Sequence, residues 1–375
     1  MTVSALDGPS CSMAGTAAPR LPGLGIMFFG DDEHAGSRHD YGLYLECGIR
    51  ADRLGFRAIW TPERHFTDVG AASPNPAILS AALATCTSRI ELRAGSVVAP
   101  LHHPVQIAED WAMVDRLSQG RAGVSFAPGW VPDDFVFAPQ DYARRREVMR
   151  ATIEEVRELW QGGARAYRNG VGAEVDIVIR PLPTRREMPV WLTAATSAAT
   201  FQAAGECGVN VLTAFLHFSR PQLETNIATY RRARAEAGHD PAAGIVTLML
   251  HTFVAPSDTS AVEESRRALK PYFRAQTALR EQASQDPDRK VLGDKQRELQ
   301  IAYAVETYLR EKSLIGSPAR CSTMLSGLSA LGVDEVACLI DFGIERSKVL
   351  DGLDLLAGLI PDDGVTSARS TASVA

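Results

Sequence analysis

Apolar positions along the chain fall into two alternating rhythms. Short apolar runs occur at Leu24 to Gly30, Arg57 to Thr61, Ile90 to Val98, Ala122 to Ala127, Val190 to Ala194, Val209 to Phe215, Ile245 to Val254 and Glu335 to Phe342. Their length and lack of polar alternation predict strands buried on both faces. Between them, Tyr41 to Leu54, Pro76 to Thr87, Pro104 to Leu117, Ala143 to Trp160, Ser197 to Cys207, Pro221 to Ala237 and Ser347 to Leu359 carry apolar residues at spacings of three and four, the period of an amphipathic helix.

Repeated strand–helix units imply a parallel sheet, and eight of them favour a closed (β/α)8, TIM-like barrel over an open doubly wound sheet. An open nucleotide-binding sheet would place Gly-x-Gly-x-x-Gly after its first strand, whereas this chain has Phe28-Phe29-Gly30-Asp31-Asp32. Two insertions interrupt the rhythm. After strand four, Tyr167 to Pro183 holds the alternating run Glu174 to Ile179 behind Asn169-Gly170, which predicts a small hairpin. After strand seven, Ala255 to Leu314 is polar and helical in pattern around a flexible centre at Ser284 to Lys290, and is expected to be an interaction arm or a substrate lid. The barrel is expected over 22–361, between tails 1–21 and 362–375 whose composition favours disorder.

Composition narrows the function. The 375 residues are 45% apolar and 22% charged, enough for one large core, and the formal charge of −6 argues against a nucleic-acid partner. The six cysteines form no Cys-x-x-Cys pair and no metal-ligand spacing, so most read as small core residues and no metal is expected. No signal-peptide or membrane-spanning apolar run is present, which makes a cytoplasmic location the expectation.

The stretch Trp60-Thr-Pro-Glu-Arg-His-Phe66 carries the strongest chemical signal, because Glu63, Arg64 and His65 stand where a buried strand ends. The carboxyl ends of barrel strands are where such folds assemble catalytic groups. Leu101-His102-His103-Pro104, at the start of the helix after strand three, reads as capping or supporting histidines. Strand five opens through Thr196 and Ser197 into a helix whose free N–H groups suit an anion.

FFGDDE, WTPERHF, SPNPAILSAALA, GSVVAPLHHPV, AEDWAMVDRLSQGRAGVSFAPGW, PDDFV, RREVM, VWLTAA, LIGSP and LIDFG occur here in an order and spacing that resemble the bacterial luciferase-like flavin monooxygenases over about Leu24 to Leu359, in the branch associated with natural-product pathways. The resemblance implies a barrel with flavin mononucleotide (FMN) at the carboxyl ends of its strands. The cofactor would be reduced FMN with O2 as cosubstrate, delivered by a separate NAD(P)H:flavin reductase. It further implies a small-molecule or carrier-tethered substrate and a homodimer built largely from helices 76–87 and 104–117. Arg121 and Arg146 are expected at the phosphate, with Arg144 or Arg145 as alternatives to Arg146, and Thr196, Ser197 and Thr200 beside them. Phe29, Gly30, Gly95, Ser96, Val97 and Ala127 are expected to line the ring, with a non-prolyl cis peptide near Ser96-Val97. The family's first imidazole position is Arg64 here, leaving His65 for proton handling, with Arg64 and Glu63 beside it as the catalytic set. Trp130, Asp133, His103 and Phe215 are the expected substrate-lining residues. A deazaflavin-dependent oxidoreductase of the same superfamily and a non-catalytic flavin-binding protein are the alternatives.

Overall fold

The computed structural model describes residues 21–28, 41–66, 73–195, 197–283 and 293–360. In chain order the elements are β1 (Gly23–Met27), α1 (Gly42–Leu54), β2 (Ala58–Thr61), α2 (Pro76–Ala84), β3 (Glu91–Val98), α3 (Pro104–Leu117), β4 (Ala122–Ala127), α4 (Arg145–Trp160), β5 (Arg165–Arg168), β6 (Glu174–Ile177), β7 (Val190–Ala194), α5 (Ala198–Glu206), β8 (Asn210–Ala214), α6 (Arg220–Glu236), β9 (Val246–Val254), α7 (Asp258–Ala283), α8 (Asp294–Glu311), β10 (Leu314–Gly316), α9 (Pro318–Ser329), β11 (Glu335–Leu339) and α10 (Arg346–Ala357).

Eight of the strands close into a parallel barrel in the order β1, β2, β3, β4, β7, β8, β9, β11 and back to β1. They are the eight apolar runs read from the sequence. β5 and β6 form the antiparallel hairpin, turned by Asn169, whose side chain accepts from the N–H groups of Val171 and Ala173. One strand was not predicted: β10 pairs with the far end of β9, Leu314 opposite Thr252. At three residues it is too short to carry a periodic signal.

Local chemistry sets several helix starts. Asn75 accepts from Ala77 N and Ile78 N ahead of α2 with Pro76 in the first helical position, and Ser219 and Gln222 form a capping box on α6. The main core lies between strands and helices. Inside the barrel a second cluster holds Met27, Ala58, Trp60, Trp191, Leu212, Ala337 and Leu339.

Arg93 fills the lumen between the Trp60 and Trp191 rings, at 4.9 and 4.3 Å, and its guanidinium pairs with Glu91 and Glu335. Such a buried charge is tolerated only because it is paired and flanked by aromatic faces. Trp60 is thus a lumen packing residue.

Among the described cysteines, Cys47, Cys321 and Cys338 are buried, whereas Cys86 and Cys207 are exposed.

Candidate active site

β2 ends at Thr61, and the chain then turns its next charged residues over the carboxyl end of the barrel. Ser73 ties this turn down: its hydroxyl donates to the Pro62 carbonyl at 2.5 Å and its own carbonyl accepts from Arg64 N at 2.9 Å. Glu63 is buried, and its carboxylate gathers three N–H groups: His102 Nε2 at 2.7 Å and His65 Nε2 at 2.9 Å on Oε1, and Val98 N at 2.8 Å on Oε2. Burial pushes the Glu63 carboxyl up, but the hydrogen bonds from His102, His65 and Val98 outweigh it and hold the group below the usual carboxylate range. The reciprocal effect on His102 opposes burial and raises its imidazole. Glu63 therefore fixes two imidazoles rather than standing ready as a base. The sequence reading made His102 and His103 capping or supporting residues and placed His103 in the substrate-lining set as well. His102 supports Glu63 and His103 caps α3, its Nδ1 accepting from Val105 N and its ring facing Tyr167 of the hairpin.

Arg64 is buried with its guanidinium 5.7 Å from the centre of the Trp130 ring. Burial lowers its pKa, opposed by Tyr272 and Asp134 nearby. Tyr272, on α7, also packs at 4.7 Å against His251 of β9, so α7 bridges from the β9 side of the mouth to the β2 side. His251 is fully buried beside the Tyr308 hydroxyl (2.8 Å) and burial pushes it down to about 3, which keeps it neutral. Phe66, at φ 50°, and Phe137 are exposed and stack at 5.7 Å beside His65.

The turn after β4 separates two adjacent carboxylates. Asp133 is exposed, while Asp134 is buried and raised to about 6 by burial, which the nearby His65 and Arg64 only partly offset. The acidic residue turned into the protein is thus Asp134, where Asp133 was expected. Phe215 is buried in the core beyond β8.

Ser96, Ser125 and Thr193, on the neighbouring strands β3, β4 and β7, join their hydroxyls into one cluster: Ser125 Oγ lies 2.8 Å from Thr193 Oγ1, and Ser96 bonds to both. The non-prolyl cis peptide is Gly95–Ser96, one bond before the expected position. Gly95 is required by close packing, since a Cβ there would lie 3.0 Å from Met27 Cε and 3.2 Å from Trp60 Cβ. Val97 is buried and Ala127 half-buried at the ends of their strands. Phe29, Gly30 and Thr196 lie outside the described residues.

The cationic candidates separate. Arg121 precedes β4 and so sits at the amino end of the barrel, opposite Glu63. Its guanidinium is consumed there by Ser118 O, Thr87 Oγ1, Ile90 O, Thr87 O and Ala84 O, four of the five being backbone carbonyls. This placement corrects the expectation of a phosphate contact. Arg144 pairs with Asp141 in solvent and Arg146 is exposed. Arg145 alone turns back to the mouth, donating from Nε to Gly129 O at 3.3 Å and lying 4.5 Å over the Tyr142 ring. Gly129, at φ 74°, makes the turn there. On the adjoining β7, Ser197 precedes α5 without using its side chain as a cap, and Thr200 stands half-buried in the first turn.

A fixed cation, a helix start without a side-chain cap, and small or apolar strand tips form a donor set that fits a phosphate-bearing flavin. Residues 25–335 match the model of the luciferase-like monooxygenase family. The chain belongs to that family. It is 28% identical over 315 residues to the oxygenase component of a flavin-dependent trigonelline monooxygenase from Acinetobacter baylyi, covering 82% of this chain and 86% of that protein. In structure it is similar to monooxygenase RslO1 from Streptomyces bottropensis (TM-score 0.74, 24% identity, 90% and 98% of the two chains). It is also similar to the oxygenating constituent of 3,6-diketocamphane monooxygenase from Pseudomonas putida in complex with FMN (TM-score 0.71, 16% identity, 92% and 98%). The protein is an enzyme, a flavin-dependent monooxygenase of the luciferase-like type.

Proposed function

We propose that the enzyme is the oxygenase of a two-component system that takes reduced FMN from a separate NAD(P)H:flavin reductase and uses O2 to oxygenate a natural-product intermediate, by hydroxylation or Baeyer–Villiger insertion. The observation that carries this reading is the donor set around the mouth, with Arg145 turned to the tip of β4 and the start of α5 beside it. Arg145 and the α5 N–H groups with Ser197 and Thr200 would hold the phosphate, and the tips of β3 and β4 the ring. When bound, reduced flavin supplies the two electrons that activate oxygen. The chain's own residues then act around it: Glu63 orients His65 for proton handling, Arg64 and Trp130 receive the substrate, and α7 keeps water from the mouth.

A separate reductase is supported by the sequence, which carries no nicotinamide fingerprint after β1, and by the trigonelline relative being named an oxygenase component. The natural-product substrate rests on the motif resemblance. A homodimer fits the exposed Ile78 on α2 and Met113 and Leu117 on α3, 68%, 54% and 49% accessible. Ala84, Ala108 and Ala112 on the same helices are buried within the protomer. No helix among the described residues is long and apolar enough to cross a membrane, consistent with our placing the enzyme in the cytoplasm.

The test is an anaerobic titration with reduced FMN, followed by oxygen uptake and mass analysis of products formed under labelled dioxygen with a reductase and NADH. Label in a product is the expected result. Oxidation of a supplied reduced deazaflavin by hydride transfer to an acceptor, without oxygen uptake, would overturn the proposal. Light scattering at micromolar concentration should report twice the 40.5 kDa chain mass.

A further inference from the structure

Asp134 combines features that a purely structural carboxylate rarely shows. It is 6% exposed, its Oδ1 is buried without a hydrogen-bond partner, and it forms no ion pair with any described residue. Native proteins almost always satisfy buried polar atoms, and an unpaired buried carboxylate is costly unless it keeps its proton or meets a ligand. The residue sits in the turn after β4, next to Phe135, whose ring packs against Tyr142. The charged groups facing it are His65 and Arg64, which favour its ionised form, and Glu63 and Asp133, which oppose it.

We propose that Asp134 is the proton donor of this site, a neutral carboxylic acid that delivers its proton to the oxygen atom leaving as water. The proposal rests on the monooxygenase reading. Monooxygenation places one atom of O2 on the substrate and reduces the other to water with the two electrons that reduced flavin supplies; as the O–O bond breaks, the departing oxygen takes a proton. The Oδ–H bond of Asp134 breaks, an O–H bond forms on the departing oxygen, and the negative charge left on Asp134 is met by Arg64 and His65. Solvent returns the proton once product leaves.

Asp134→Asn keeps the size and removes the proton. Without substrate, anionic reduced FMN and O2 give oxidised FMN and hydrogen peroxide with the uptake of one proton, so delivery of that proton can be followed as peroxide release with those two reagents alone. The wild-type rate should fall as pH rises through about 6, whereas Asp134→Asn should be about 10²-fold slower at pH 5 and flat with pH, and Asp134→Glu should restore the break. Identical profiles in wild type and Asp134→Asn would overturn the proposal. In the ligand-free protein, the urea midpoint of wild type relative to Asp134→Asn should drop between pH 4.5 and 7, as a carboxylic acid stabilised in the fold loses its proton. An unchanging difference would overturn the proposal whatever the flavin result. Failure of wild type to bind reduced FMN, with that stability titration intact, would instead remove the flavin reading and with it the role assigned to the proton.

Discussion

Replacing Glu63 by Gln tests the centre of the site. The carboxylate accepts three N–H groups in a buried position. A carboxamide keeps one acceptor oxygen and turns an NH2 toward at least one of those donors. Hydrogen bonds to a charged group contribute about 1.5–3 kcal/mol, and a buried donor left unpaired costs about 1–3 kcal/mol. Allowing for relaxation at the mouth, we expect a loss of about 3 kcal/mol near pH 6. The pH dependence is more discriminating than the size. Glu63 is lowered from 4.5, so its contribution is present above that value and disappears as pH falls through the folded pKa. His102 is raised from 6.5, so its contribution is complete below 6.5 and disappears as pH rises through its folded pKa. The difference between wild type and Glu63→Gln should therefore peak between about pH 4.5 and 6.5 and shrink on both sides. Urea melts across pH 4–9 measure the difference, and imidazole NMR should show the His102 pKa falling in the variant, since burial is then opposed by Asp110 alone. A pH-independent difference, or an unmoved His102 titration, would refute the assignment of Glu63 as the group that charges His102 and orients both rings.

Three further outcomes are expected. Arg121→Ala should lower stability by about 2–4 kcal/mol through the carbonyls it leaves without a donor, with reduced FMN affinity unchanged by anaerobic titration; weaker binding at intact stability would return Arg121 to the phosphate. Arg145→Ala should weaken reduced FMN binding by about 1.5–3 kcal/mol, whereas Arg146→Ala in the same titration should change it little, and equal effects would deny the distinction drawn from Arg145 turning to Gly129. His65→Ala should leave flavin binding nearly intact and cost about 1.5–3 kcal/mol of stability through the lost bond to Glu63, while product formation per folded molecule falls about 10² to 10⁴-fold; wild-type yield would end its role in proton handling.

The hydrophobic pattern by itself determined the barrel. Buried parallel strands must be apolar on both faces, so all eight barrel strands announced themselves, and α3 spans the residues its periodicity predicted. The same logic located the mouth at Glu63, Arg64 and His65, because a charged cluster at a strand end has few other places to go. Arg121 was open to the same argument: a residue preceding a strand lies at the amino end, away from the chemistry. What only the tertiary structure decided is the direction of side chains within turns. Asp133 and Asp134, His102 and His103, and Arg144, Arg145 and Arg146 are sequence neighbours of one chemical type in each set. In regular helices or strands a fixed period separates their faces. In the turns after β3 and β4, and at the start of α4, the surrounding fold chooses instead: Glu63 takes His102, Gly129 takes Arg145, and of the two aspartates Asp134 is the one buried. The hydroxyl cluster of Ser96, Ser125 and Thr193 was hidden for the same reason, since strands far apart in sequence become neighbours only when the barrel closes.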